Sequence, residues 1–178
     1  MKKRTTLVRT VLACSTVIVL LTTTSCKKEE EKEVMKSFDM AAAQKSIDSL
    51  TVVFTEAFNK GDASGVANCY TADAKFMPPN TTSKDGMPAI QTEIENYFKS
   101  GVAKLEIKST GLWGNENLLV EESNWTISDK DGNHLDHGKS IVAYKKDKGQ
   151  WKLFRDCYNS DMPCMPPPPA ATPTASKK

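Results

Sequence analysis

Between Ala41 and Asn59 apolar residues recur every three or four positions. Ile47, Leu50, Phe54, Ala57 and Phe58 fall on one face, which predicts an amphipathic helix closed by Lys60-Gly61. Asp62 is a suitable N-cap for a short second helix, Ala63 to Tyr70, with Val66, Ala67 and Tyr70 inward. A short strand is predicted over Ala74 to Met77, where Pro78-Pro79-Asn80 ends it and opens a polar loop. Gly86-Met87-Pro88 starts a third helix, because proline suits a first helical turn. Ile90, Ile94, Tyr97 and Phe98 form its stripe, and Gly101 ends it.

Beyond Val102 the period changes to two. Leu105 and Ile107 alternate with Glu106 and Lys108. From Leu119 to Ile127, the positions Leu119, Ser123, Trp125 and Ile127 alternate with Val120, Glu122, Asn124 and Thr126. Asp129 to Asn133 reads as a hairpin turn. Gly138 to Lys146 is the next strand, Asp147 to Gly149 the next turn, and Trp151 to Pro163 the closing strand. Helices gathered before a run of antiparallel strands predict an α+β domain, with three N-terminal helices on one face of a bent antiparallel sheet. The span 41–163 is long enough to fold alone.

The two ends lie outside that pattern. Residues 1–25 open on Lys2, Lys3, Arg4 and Arg9, continue through an apolar run from Val11 to Leu21, and finish on small residues before Cys26. That order is a secretory signal, and the apolar run is far short of the ~20 residues of a spanning helix. The cysteine after small residues resembles the lipobox of bacterial lipoproteins, although Thr23 stands where leucine is commonest. The resemblance implies cleavage before Cys26, lipid on its sulfur and attachment to a membrane. Residues 26–40 then form a charged tether, in which KKEEEKE is too polar to bury. Lys followed by acidic residues resembles a surface-export signal of Gram-negative lipoproteins. Both a periplasm-facing location at the outer membrane and the cell surface remain open. Residues 164–178, with Pro166 to Pro169, are expected to be a disordered tail.

The leader carries four of the 24 basic residues and none of the 22 acidic ones, so the mature chain is close to neutral. No basic run with interleaved aromatics occurs, which argues against a nucleic-acid partner. With Cys14 in the leader and Cys26 lipidated, Cys69, Cys157 and Cys164 remain. One disulfide is expected, Cys157 to Cys164 or Cys69 to Cys157, with one thiol left over. His134 and His137 flank an acid beside a turn, but no third ligand is evident, so no metal is expected. No phosphate loop, nucleophile motif or cofactor motif is present.

Three pieces carry a family resemblance: AFNKGDASGVANCYTADAKFMPPN (57–80), the helix from Gly86, and HGKSIVAYKKDKGQWKLFRDCYNSD (137–161). Together they resemble the nuclear transport factor 2-like superfamily, which includes ketosteroid isomerases and polyketide-cyclase-like proteins. The resemblance implies a cone: a strongly bent sheet wrapped by three helices, with a pocket inside and homodimers through the sheet's outer face. It is weak for function. The isomerases' base falls here at Pro78, their first-helix tyrosine at about Phe54, and their protonated acid near Ser140 to Val142. None of these supplies the base and donors that isomerisation needs.

One acid keeps a catalytic reading. Under strict alternation Phe154, Asp156 and Tyr158 share one face of the closing strand, and Leu153, Arg155 and Cys157 the other. If Asp156 faces the pocket it is a buried carboxylate of raised pKa, a candidate general base. Otherwise it is a structural partner of Arg155, Lys139 or a backbone amide. Asn159, at the strand end, either caps backbone groups or rims the pocket. Tyr70, Met77, Tyr97, Trp113, Trp125 and Tyr144 are candidate pocket-lining residues, suited to a small hydrophobic ligand. The expected function is therefore a lipid-anchored, non-catalytic ligand-binding or assembly domain. The alternative is a small cofactor-free enzyme of lyase, isomerase or hydrolase type using Asp156 as base.

Overall fold

The computed structural model describes residues 37–163. Cys26, the charged tether as far as Lys36, and the Pro-rich tail with Cys164 lie outside the described residues. Three helices come first: α1 (Met40–Asn59), α2 (Ala63–Ala67) and, after two strands, α3 (Met87–Lys99). The strands are β1 (Tyr70–Met77), β2 (Lys84–Asp85), β3 (Lys104–Gly114), β4 (Leu119–Ser128), β5 (His134–Asp147) and β6 (Gln150–Ser160). They form one curled, unclosed sheet in the order β2-β1-β6-β5-β4-β3. Pairing is antiparallel throughout except between β1 and β6, which run parallel.

Local chemistry sets the helix ends. Asp39 caps α1 by accepting from the Ala42 amide at 2.9 Å, and Asp62 caps α2 through the Gly65 amide at 2.8 Å. Gly61, at φ 73°, supplies the left-handed residue that ends α1. The second helix is shorter than its sequence pattern suggests. It stops at Ala67, and Tyr70 already belongs to β1. Ile47, Val66, Tyr70, Ile90 and Leu119 are wholly buried and mark the core between the helices and the concave face of the sheet.

Two contacts orient that layer. The Asn59 side chain accepts from the Leu105 amide (2.7 Å) and donates to the Leu105 carbonyl (3.3 Å), which pins the end of α1 to the start of β3. Between β5 and β6, Lys148 and Gly149 both have positive φ (50° and 83°). This is the two-residue turn whose twist suits a hairpin.

The β6 register departs from strict alternation. Ala143 pairs with Arg155 but Tyr144 pairs with Leu153, so Phe154 is an extra residue in β6. This bulge puts Phe154 and Arg155 both outside, and Leu153, Asp156 and Tyr158 on one inner face. Phe154 is held outside by two cations: Lys145 Nζ lies 3.5 Å and Arg155 Cζ 3.6 Å from its ring centre.

Candidate functional site

The curl of the sheet and the helices over it enclose a cavity, of which about 140 Å³ is open to the centre of a water molecule. That is close to the roughly 150 Å³ of an apolar protein cavity known to take up benzene. Its floor is the concave face of the sheet, ordered in cross-strand rows. One row runs Phe76, Asp156, Val142, Glu121 across β1, β6, β5 and β4. The row on one side holds Tyr70, Leu153, Tyr144 and Leu119, and the row on the other holds Tyr158, Ser140 and Ser123. Leu50, Thr51, Phe54 and Phe58 of α1 and Ile94 and Tyr97 of α3 supply the roof.

The buried polar groups on this floor pair with one another. The Tyr70 hydroxyl donates to Asp156 Oδ2 at 2.6 Å, and the Tyr144 hydroxyl donates to Glu121 Oε2 at 2.6 Å. Tyr97 and Tyr158 share a hydroxyl bond of 2.7 Å, as do Ser123 and Ser140. Burial pushes the Tyr70, Tyr97, Tyr144 and Tyr158 phenols above their ordinary value, so each stays a protonated donor. Burial also raises the Asp156 carboxyl from 3.8 to about 6, against the opposing effect of the Tyr70 hydrogen bond. Asp156 and Glu121 are only 7% and 2% exposed.

Aromatic rings complete the walls. Phe76 stacks on Tyr158 with ring centres 5.7 Å apart, and Trp125 meets Tyr158 edge-on at 5.2 Å. The Trp125 indole lies over Gly138 and donates to the Lys139 carbonyl at 3.2 Å. A Cβ at Gly138 would stand 2.7 Å from Trp125 Cζ2 and 2.0 Å from the Asn159 carbonyl oxygen. Glycine is what lets that ring lie flat against the sheet.

The residues singled out in the sequence divide into two sets. Tyr70, Tyr97, Trp125, Tyr144 and Asp156 line the cavity. Met77, Trp113 and Asn159 do not. Met77 alternates with the inward Phe76 and pairs with the exposed Cys157. Trp113 is 54% exposed, with its indole on Gly111 at the outer face, because Leu112 takes the position opposite Glu121. Asn159 is exposed, one residue past the inward Tyr158.

The structural partners anticipated for Asp156 are occupied elsewhere. Lys139 pairs with Asp161, and Arg155 donates to the backbone carbonyls of Asp73 and Phe154. Cys69 and Cys157 are free thiols, so the Cys69–Cys157 pairing does not form; Cys164 lies outside the described residues. The rings of His134 and His137 lie 5.1 Å apart. Among the described residues no group of three His, Cys, Asp or Glu side chains converges as metal ligands. Of the isomerase positions, Phe54, Ser140 and Val142 line the cavity. Glu121, Tyr158 and Asp136 line it without having been anticipated. The signal that would have found Glu121 is parity along β4, since it lies midway between the inward Leu119 and Ser123.

No family model matches the sequence, and no curated protein matches it. Solved structures do. A domain of unknown function with a cystatin-like fold from Nostoc punctiforme aligns at TM-score 0.61 and 16% identity, covering 68% of this chain and 79% of that one. A ketosteroid isomerase-like protein from Erwinia carotovora atroseptica aligns at 0.58 and 19%, covering 67% and 96%. An NTF-2 like protein of unknown function from Shewanella oneidensis aligns at 0.56 and 14%, covering 65% and 98%. The fold is the cystatin-like, nuclear transport factor 2-like cone. Its neighbours are mostly proteins of unknown function, and identity this low carries the fold alone. Within this cone, the chemistry must be read from the floor residues of this chain.

Proposed function

We propose that the protein is a lipid-anchored binding domain of the bacterial cell envelope that takes a small, largely apolar ligand into its cone. The observation that carries the reading is the self-pairing of the cavity's polar groups. With Tyr97 bound to Tyr158 and Ser123 bound to Ser140, most of the wall presents only carbon to a guest. A pocket that is mostly apolar, with a few fixed polar groups, suits a small molecule better than a macromolecule. The anchor rests on the leader and Cys26. A homodimer through the outer sheet face is part of the same proposal, supported by the exposed Ile141 and Trp113. Mass spectrometry under non-denaturing conditions, on protein purified from its own membrane fraction, tests the binding reading. A retained small molecule that competes with toluene supports it; a cavity that takes up neither refutes it.

A second reading is favoured by one specific observation. Asp156 is a cavity carboxyl that titrates at about 6 and is oriented by Tyr70, which is how a general base is prepared. In that reading the protein is a cofactor-free lyase, isomerase or hydrolase. Asp156→Asn decides between them. Loss of turnover on a retained ligand, in a variant no less stable than the parent near neutral pH, selects the enzyme. Retained binding with no turnover in either form selects the binding domain.

A further inference from the structure

We propose that the guest of the cone is an organic cation, a small protonated amine on an apolar body about the size of a benzene ring. The inference rests on the cavity being a binding site, as above, and adds the charge of what it binds.

The lining of the cavity is electrically one-sided. Glu121, Asp136 and Asp156 line it, and among the described residues no lysine, arginine or histidine does. Asp136 is engaged near the rim, accepting from the Ser160 hydroxyl and the His137 amide, both at 2.7 Å. Glu121 and Asp156 differ from it. Both are more than nine-tenths buried, and neither has an ion-pair partner among the described residues. Each accepts from one tyrosine through one oxygen. Among the described residues the second oxygen of each, Asp156 Oδ1 and Glu121 Oε1, has no donor and is not sealed from the cavity.

Their placement is as informative as their number. Val142 pairs with Glu121 on one side and Asp156 on the other, so the two acids flank a single strand on one cross-strand row. Two strand spacings set their backbones roughly 10 Å apart. That separation leaves room for an ammonium group to sit over Val142 between them. Phe76, Tyr158 and Tyr144 line the same cavity. Aromatic faces attract a cation and tolerate an apolar body. A buried carboxylate without a cation is costly, and a cationic guest removes that cost where a neutral guest cannot. An anionic guest would be repelled by both acids.

The test is a charge series on the full domain at about pH 8, where benzylamine is a cation, benzyl alcohol neutral and benzoate an anion. Binding is read by calorimetry and by the indole signal of Trp125. Benzylamine is expected to bind at least about tenfold more tightly than benzyl alcohol, with benzoate weakest. Glu121→Gln and Asp156→Asn are each expected to reduce the benzylamine preference about tenfold. Equal affinity for the amine and the alcohol, or a preference for benzoate, overturns the proposal while the cavity reading stands. Failure of all three to move Trp125 overturns both. The series on the unaltered protein decides the matter even if a variant does not fold.

Discussion

Tyr70 opens β1 and Asp156 lies 86 residues later in β6, yet the tyrosine hydroxyl meets the carboxylate at 2.6 Å inside the cone. The bond joins the parallel strand pair at the buried centre of the sheet. It also governs the one acid with a catalytic reading, because it lowers a carboxyl that burial raises.

Removing that hydroxyl leaves desolvation unopposed. In Tyr70→Phe the Asp156 carboxyl should titrate above about 6, seen in a carbon NMR titration of the carboxyl group. A hydrogen bond to a charged group contributes about 1.5–3 kcal/mol, so the variant should lose stability of that order above pH 7. An unchanged titration would mean the bond does not form in solution.

The Asp156 carboxyl also predicts a pH window. Its folded value, about 6, lies above the ordinary 3.8, so the folded state holds the proton more firmly. The associated stability is fully present below 3.8 and lost as pH rises through about 6, a change of about 3 kcal/mol. Exposed Asp73 and Asp85 and half-buried Asp129 are lowered instead and act in the opposite sense at more acidic pH. The difference in urea stability between Asp156→Asn and the parent, followed from pH 4 to 7, cancels them. It should grow in favour of the variant as pH rises.

Gly138→Ala should destabilise the domain by about 1–3 kcal/mol, because its Cβ meets the Asn159 carbonyl and the Trp125 ring. A red-shifted Trp125 fluorescence would accompany it. Gly132→Ala, where a Cβ meets nothing but φ is 84°, should leave Trp125 unchanged.

The anchor has its own check. Cys26→Ala should move the protein from the membrane pellet to the soluble fraction, since Cys26 is the proposed site of acylation. Continued attachment would contradict the lipidation reading.

Much of this was legible in the chain. The helix stripes on Ile47, Phe54, Ile90 and Ile94, and the alternation of β4, reflect contacts each element makes with one face of the core. What was not legible depended on pairing between distant strands. The Phe154 bulge is a register property of β5 against β6, and it moved Leu153 into the row of Tyr70 and Tyr144. Tyr70 fits the end of a helix by pattern but is drawn into β1 by its pairing with Leu153. The two-residue β2 is too short to leave a periodic trace. Glu121 was hidden for another reason. A charge at an inward position reads as an exception until its partner Tyr144, 23 residues on, is seen.

The most direct measurement follows the three tryptophan indole signals of the protein during a toluene titration. Trp125 lines the cavity, Trp113 is exposed on the outer face and Trp151 is buried in the core away from the lining. The account predicts a saturable shift of Trp125 with Trp113 and Trp151 unmoved. A titration that shifts Trp113 alone, or none of the three, would contradict the cone as a ligand site.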